Sequence, residues 1–259
     1  MRYGLLNLQP HRLLIALSTS SEMKPLFGFA LASVIVIVAY STLFPSATVR
    51  YRLTLAAEVD GKPAIGSGVI EVTYRKNPRL LGASADIVTE VRGEAVSIDL
   101  GKRGVVFALL ARGKHPRSDP ENIIPVLYGL TTGGLDSADI PSVNLLSGRR
   151  DLPFELLPPL AHFDDPRNAG TVALVDPGDL AASPVSPVSI GGAQIEIVSV
   201  GYWPFSRFGT TGVPVSRGIE EKLQWLRDAS AVNIFWRAFH ASGYRPNGSI
   251  EPRPLLIRG

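Results

Sequence analysis

TVRYRLTLAAEVDGKPAIGSGVIEVTYR, residues 48–75, decides how the rest of the chain is read. Val49, Tyr51, Leu53, Leu55 and Ala57 alternate with Arg50, Arg52 and Thr54, the period of a half-buried strand. Asp60-Gly61 supplies a turn, after which Ile70, Val72 and Tyr74 alternate with Glu71, Thr73 and Arg75. The two runs predict an antiparallel hairpin. Gly66 and Gly68 mark a bulge or a close backbone approach.

Working outward, IVTEV (87–91), AVSIDL (95–100) and VVFALLA (105–111) are further short strands with turn residues between them, an antiparallel meander. Residues 113–159 are rich in Pro, Gly, Ser and Asp and form a long irregular connection, with short helical turns at PENIIPVLYGL and SVNLLSG. LAHF (160–163), TVALV (171–175) and AQIEIVSVGYW (193–203) read as strands, and Asp176 to Leu180 as a capped helix start. RGIEEKLQWL places Ile219, Leu223 and Leu226 on one helical face, NIFWRAF (233–239) is a closing strand, and the turn-rich tail 246–259 is loose. The expected fold is α+β, mostly β: an N-terminal transmembrane helix followed by one antiparallel β-rich extracytoplasmic domain, 48–245.

The helix comes from Leu26–Phe44, 19 residues without a charge between Pro25 and Pro45. At about 1.5 Å per residue it spans about 28 Å, close to the hydrocarbon thickness of a bilayer. It exceeds the usual export-signal core, and Pro45 spoils a cleavage site ending at Ala47, so an uncleaved signal anchor over 25–45 is favoured. The alternative is cleavage after Ala47 to release a secreted soluble binding protein. A short cytoplasmic tail, 1–24, precedes the anchor; Met-Lys-Pro at 23–25 makes Met23 a second candidate start, with 1–22 an upstream extension. The expected location is single-pass in a bacterial inner membrane, with the bulk of the chain periplasmic.

Composition narrows the function. The chain has no cysteine, which removes disulfides, thiolate metal sites and cysteine nucleophiles. Of the net charge of +3, the part before residue 48 carries +2, leaving a nearly neutral domain without the basic face that nucleic acid requires. No phosphate-cradling or dinucleotide motif is present, so no cofactor is expected, and Ser67 in Gly66-Ser67-Gly68 lies within a hairpin rather than on a nucleophile elbow. The one compact polar cluster is LAHFDDP, where His162, Asp164 and Asp165 could ligate a divalent metal or act as a base with its orienting carboxylate. The competing reading makes Asp165-Pro166 a turn after a strand. Tyr202, Trp203, Phe205 and Arg207, with Phe208, form either a recognition surface or the closed end of a core.

YRLTLAAEVDGKPAIGSGVIEV, GEAVSIDLGKRGVVFALL, PPLAHFDDPRNAGTVALVDPGDL and SRGIEEKLQWL together resemble a group of uncharacterised, mostly proteobacterial envelope proteins with an N-terminal hydrophobic segment. The resemblance implies an envelope location and a single outer domain, and transfers no catalytic residue. The leading expectation is a membrane-anchored periplasmic binding or structural module, held in the lipid bilayer through Leu26–Phe44 and engaging an envelope protein. The rival is a periplasmic metal-assisted hydrolase using His162, Asp164 and Asp165.

Overall fold

A computed structural model describes residues 23–78, 85–112, 119–175, 188–202, 205, 210–244 and 253–259, with side chains described from Gly28 onward in the first helix. The chain divides into two units, 1–43 and 44–259. The first holds helix α1, Met23–Leu43, whose Phe29, Leu31, Val34, Val36 and Tyr40 are all exposed. Among the described residues, no helix is long and apolar enough to cross a membrane.

The second unit is mostly β, built on two antiparallel sheets. The hairpin is present as β1, Ser46–Val59, and β2, Lys62–Lys76, with Asp60 and Gly61 at positive φ in the turn. A two-residue turn fixes the register, so Arg50 lies opposite Glu71 and Val49 opposite Val72. Ala47, the residue at the considered cleavage point, pairs with Tyr74 and is buried. β3, Ile87–Glu94, continues the meander beside β2. β9, Val188–Val198, lies on the other side of β1 and is bulged at Gly191, between the pairs Ala56–Gly192 and Ala57–Ile190. The short strands β6, Arg149–Asp151, and β10, Ile257–Arg258, close the edges, in the order β10-β3-β2-β1-β9-β6.

The second sheet has the order β4-β5-β7-β8, with β4 Val96–Asp99, β5 Val105–Ala108, β7 Leu160–Phe163 and β8 Val172–Val175. Its strands are covered on both faces. Val106, Ala108 and Leu160 meet the core-facing residues of the first sheet, while Phe107, Ala161 and Phe163 point into a second core on the far side. Double burial explains why residues 105–111 form an unbroken apolar run instead of alternating.

Gly66 and Gly68 prove to be a close approach, with the bulge lying elsewhere. A Cβ on Gly66 would stand 2.2 Å from the Ser97 carbonyl oxygen, and one on Gly68 would stand 2.8 Å from a Val96 methyl. The backbone of β4 therefore crosses β2 where there are no side chains, just after the chain leaves the first sheet through Ala95. Gly66→Ala is expected to destabilise by about 1–3 kcal/mol, because backbone must shift to admit one methyl. Gly133→Ala, in open space, should be close to neutral. Urea unfolding of the full chain in detergent checks both.

The irregular stretch closes the side of the two-sheet core. A 3-10 turn, Pro120–Asn122, leads into α2, Ile123–Leu127, and α3 follows at Ile140–Val143; Ile123, Ile124, Ile140 and Val143 are all buried. Three expectations are corrected. RGIEEKLQWL is helical only over α4, Ile219–Lys222; the chain breaks at Leu223 and resumes as a 3-10 turn, Gln224–Arg227, which lets the Trp225 indole donate to Pro166 O at 2.9 Å. The closing strand at 233–239 is instead helix α5, Ala229–Ala241, whose Phe235 and Phe239 are fully buried against the second sheet. The tail is not loose over 253–259. Helix α6, Arg253–Leu256, buries Leu255 and Leu256; Ala95 N donates to Leu256 O at 2.8 Å, and β10 pairs with β3. The expected helix start at Asp176–Leu180 lies outside the described residues.

Candidate functional site

The outer face of the first sheet carries a row of charge fixed by strand register. Arg50, Glu71 and Arg92 are aligned across β1, β2 and β3. Glu71 Oε2 receives Arg50 Nε at 3.0 Å and Nη2 at 2.5 Å, and Arg92 Nη1 reaches Glu71 Oε1 at 3.4 Å. The first two side chains are only 4% and 8% exposed. They are covered by residues 211–218, distant in sequence: Arg50 Nη1 donates to Val213 O, Ser216 N donates to Val69 O at 3.0 Å, and Val69 N donates to Ser216 Oγ at 2.8 Å.

From that crossing the chain passes Arg217 and the left-handed Gly218 (φ 119°) into α4, and Ile219 N donates to the buried Glu94 carboxylate at 2.8 Å. A cleft of about 470 Å³ opens here, flanked by Arg92, Arg217 and Arg258 and by Glu94 and Glu221. A smaller one, about 240 Å³, lies on the other side of 216–219, where Lys222 Nζ donates to Ser97 Oγ at 2.6 Å. Arg227 is paired with Glu220 at 3.1 Å. Arg217 has no ion-pair partner among the described residues, so the larger cleft presents an unneutralised guanidinium beside Arg92. A guanidinium fork suits a carboxylate or phosphate.

A second polar group lies on the inner side of the sheet. Tyr51 and Tyr74 are fully buried, the Tyr74 hydroxyl donates to Glu121 O, and Thr89 Oγ1 donates to Glu121 Oε1 at 3.4 Å. Glu121 Oε2 is buried without a hydrogen-bond partner among the described residues. Burial raises the Glu121 pKa above its ordinary 4.5, with Asp119 adding to the rise and Arg258 opposing it; burial likewise lowers the Arg258 pKa. An acid whose folded pKa exceeds its unfolded value favours folding when protonated. That contribution is present below the unfolded value and is lost as pH rises through the folded one. Glu121→Gln is therefore expected to raise the thermal midpoint at pH 7 and change it little near pH 4. A variant less stable than the parent at pH 7 would contradict the assignment.

The residues singled out from the sequence fall elsewhere. His162 is buried on the same face as Leu160, donating from Nε2 to Arg103 O at 2.6 Å. Its Nδ1, the nitrogen left for a metal or proton, is buried without a hydrogen bond among the described residues and stands 3.8 Å from Asp164 Oδ1 on a carboxylate 78% exposed. Asp165 shapes the turn: its Oδ1 accepts from Arg167 N at 2.9 Å and its carbonyl from Asn168 N at 3.0 Å. Among the described residues, no three His, Asp or Glu side chains converge as a metal site would require. His240 packs against Trp236, and His115 lies outside the described residues. Tyr202 and Phe205 are exposed; Trp203, Arg207 and Phe208 lie outside the described residues.

Sequence reasoning missed both the charged row and the cleft. The hairpin register was sufficient to pair Arg50 with Glu71, but nothing local to either strand announces that 211–218 covers them. Searches against protein-family models, curated proteins and solved structures return no match to this chain.

Proposed function

We propose that this chain is a membrane-tethered extracytoplasmic binding module that takes an anionic group in the cleft between Arg92, Arg217 and Arg258. The observation that carries the reading is the guanidinium of Arg217, without an ion-pair partner among the described residues at the mouth of a cleft in which Arg92, Arg227 and Glu94 are engaged. Glu94 is held by Ile219 N, Arg227 by Glu220 and Arg92 by Glu71, so the guanidinium that a ligand carboxylate or phosphate would meet in this cleft is that of Arg217. What supports the tether is the sequence alone: Leu26–Phe44 is a run of 19 residues without a charge, about the length a span in lipid needs.

Two measurements on the full chain test the two halves. In detergent, inorganic phosphate or citrate should raise the thermal midpoint, and Arg217→Ala should abolish that rise while leaving the ligand-free midpoint nearly unchanged. No rise with either anion would refute the cleft assignment. In bacterial cells, the protein should stay with membranes after alkaline carbonate extraction, and its domain should be digested by protease added to spheroplasts. Release into the soluble fraction, or protection from protease, would overturn the tether or its orientation.

A further inference from the structure

The cleft beside Arg217 carries a second uncompensated charge, of opposite sign. Arg217 and Glu221 both line it and both are exposed, and neither side chain has an ion-pair partner among the described residues. The charges that flank Glu221 in sequence are committed elsewhere: Glu220 pairs with Arg227 at 3.1 Å, and Lys222 Nζ donates to Ser97 Oγ at 2.6 Å in the smaller cleft. Glu94, also on the wall, is buried and accepts from Ile219 N at 2.8 Å. The larger cleft therefore offers one free guanidinium and one free carboxylate.

Backbone geometry sets where these two charges stand. Arg217 lies on the crossing segment just before Gly218, whose left-handed φ of 119° turns the chain, and Glu221 lies on α4 with its N–H donating to Gly218 O at 3.1 Å. A Cβ at Gly218 would meet nothing within 4 Å, so the backbone between the two side chains is open. An Arg–Glu pair in solvent gains little against the entropy of fixing two long side chains, and here it is not closed. A ligand that meets both charges displaces no ion pair of the protein. Val215 and Ile257, each half-buried, add apolar wall, and the volume of about 470 Å³ lies within the range of about 300–1,000 Å³ usual for small-molecule sites.

We propose that the anionic group taken by Arg217 is the carboxylate of a zwitterion, a short peptide with free termini, whose ammonium faces Glu221 and whose small apolar side chains lie against Val215 and Ile257. The inference rests on the anion reading of the cleft and adds the class of ligand. A plain phosphate or carboxylate is drawn to Arg217 but repelled by Glu221 in the same cleft; a ligand of both charges turns that repulsion into attraction. The guanidinium fork fixes the carboxylate end, and the ammonium then sets the orientation. An amino acid carries both charges on one carbon, whereas a peptide spaces them, as two side chains that form no ion pair with each other require.

Thermal midpoints of the full chain in detergent, titrated with alanyl-alanine, with N-acetyl-alanyl-alanine and with alanine, give the affinities that test this. The free dipeptide should bind about three- to fivefold more tightly than the N-acetyl form, which keeps the carboxylate and loses the ammonium. Glu221→Gln should erase that preference by weakening the free dipeptide alone, with the ligand-free midpoint unchanged, and Arg217→Ala should remove the binding of both peptides. Equal affinity of the two peptides for the parent overturns the zwitterion, while a rise with phosphate or citrate still upholds the anion reading. A preference that survives Glu221→Gln overturns the assignment to that carboxylate, and alanine binding as tightly as alanyl-alanine overturns the choice of a peptide. No response to the peptides, phosphate or citrate overturns the ligand class and the anion reading together.

Discussion

Arg50→Met is expected to cost about 3–5 kcal/mol of folding stability, because it leaves the Glu71 carboxylate buried without its main counter-charge. Glu71 then keeps only Arg92, at 3.4 Å and 34% exposed, which places the cost toward the lower end of that range. Removing both members of the pair by adding Glu71→Leu should recover most of the loss, since a buried ion pair and a packed apolar pair differ little in net stability. Arg75→Met serves as the comparison: it breaks the Arg75–Glu90 pair, 47% and 48% exposed, and is expected to cost about 0–1 kcal/mol. Urea unfolding of the full chain in detergent distinguishes these cases. If Arg50→Met cost no more than Arg75→Met, the burial assigned to the charged row would be wrong. The same substitution removes the donor that holds Val213 O, so exchange at Ser216 N–H, which bonds across to Val69 O, should quicken. The segment that walls the cleft is therefore coupled to a residue in β1.

How much of this was legible depends on how local the cause is. The hairpin and its register follow from two alternating runs and a two-residue turn, all within 28 residues of each other. LAHF and TVALV likewise become β7 and β8, because short apolar strands between turn residues have few other uses. The polar face of β1 and β2 was read as half-exposed, and at Arg50, Glu71 and Thr73 it is buried. What covers it comes from more than 140 residues away, and no pattern within a strand encodes that arrival. Leu255 and Leu256 were hidden by the same non-locality: surrounded by Pro, Arg and Gly, they read as tail, yet they fill the second core and supply a strand edge. Tyr202 and Phe205 fit either a core end or a recognition surface from the sequence, and both are exposed.

The strand expected at 233–239 fails for a different reason, which leads to the second large effect. Seven residues rich in Ile, Phe and Trp carry strand propensity, but from Ala229 onward the apolar positions Val232, Phe235, Trp236 and Phe239 recur at helical spacing. Asp228 settles the matter by accepting Ser230 N at 2.8 Å as an N-cap. The helix then sets Phe235 at the centre of an aromatic stack, 5.3 Å from Trp225, 5.4 Å from Phe239 and 6.0 Å from Phe163, with the Phe163 and Phe235 rings nearly parallel. Phe235→Ala is expected to cost about 3–5 kcal/mol, since α5 would lose its anchor on β7 and the stack would leave a cavity it cannot fill by collapse. For a domain of this size that lowers the thermal midpoint by about 10 °C. Phe235→Leu, which retains most of the volume, should cost less than half as much. If the residue instead lay on an exposed strand, both substitutions would be nearly neutral, so calorimetry on the two variants separates the helix from the strand.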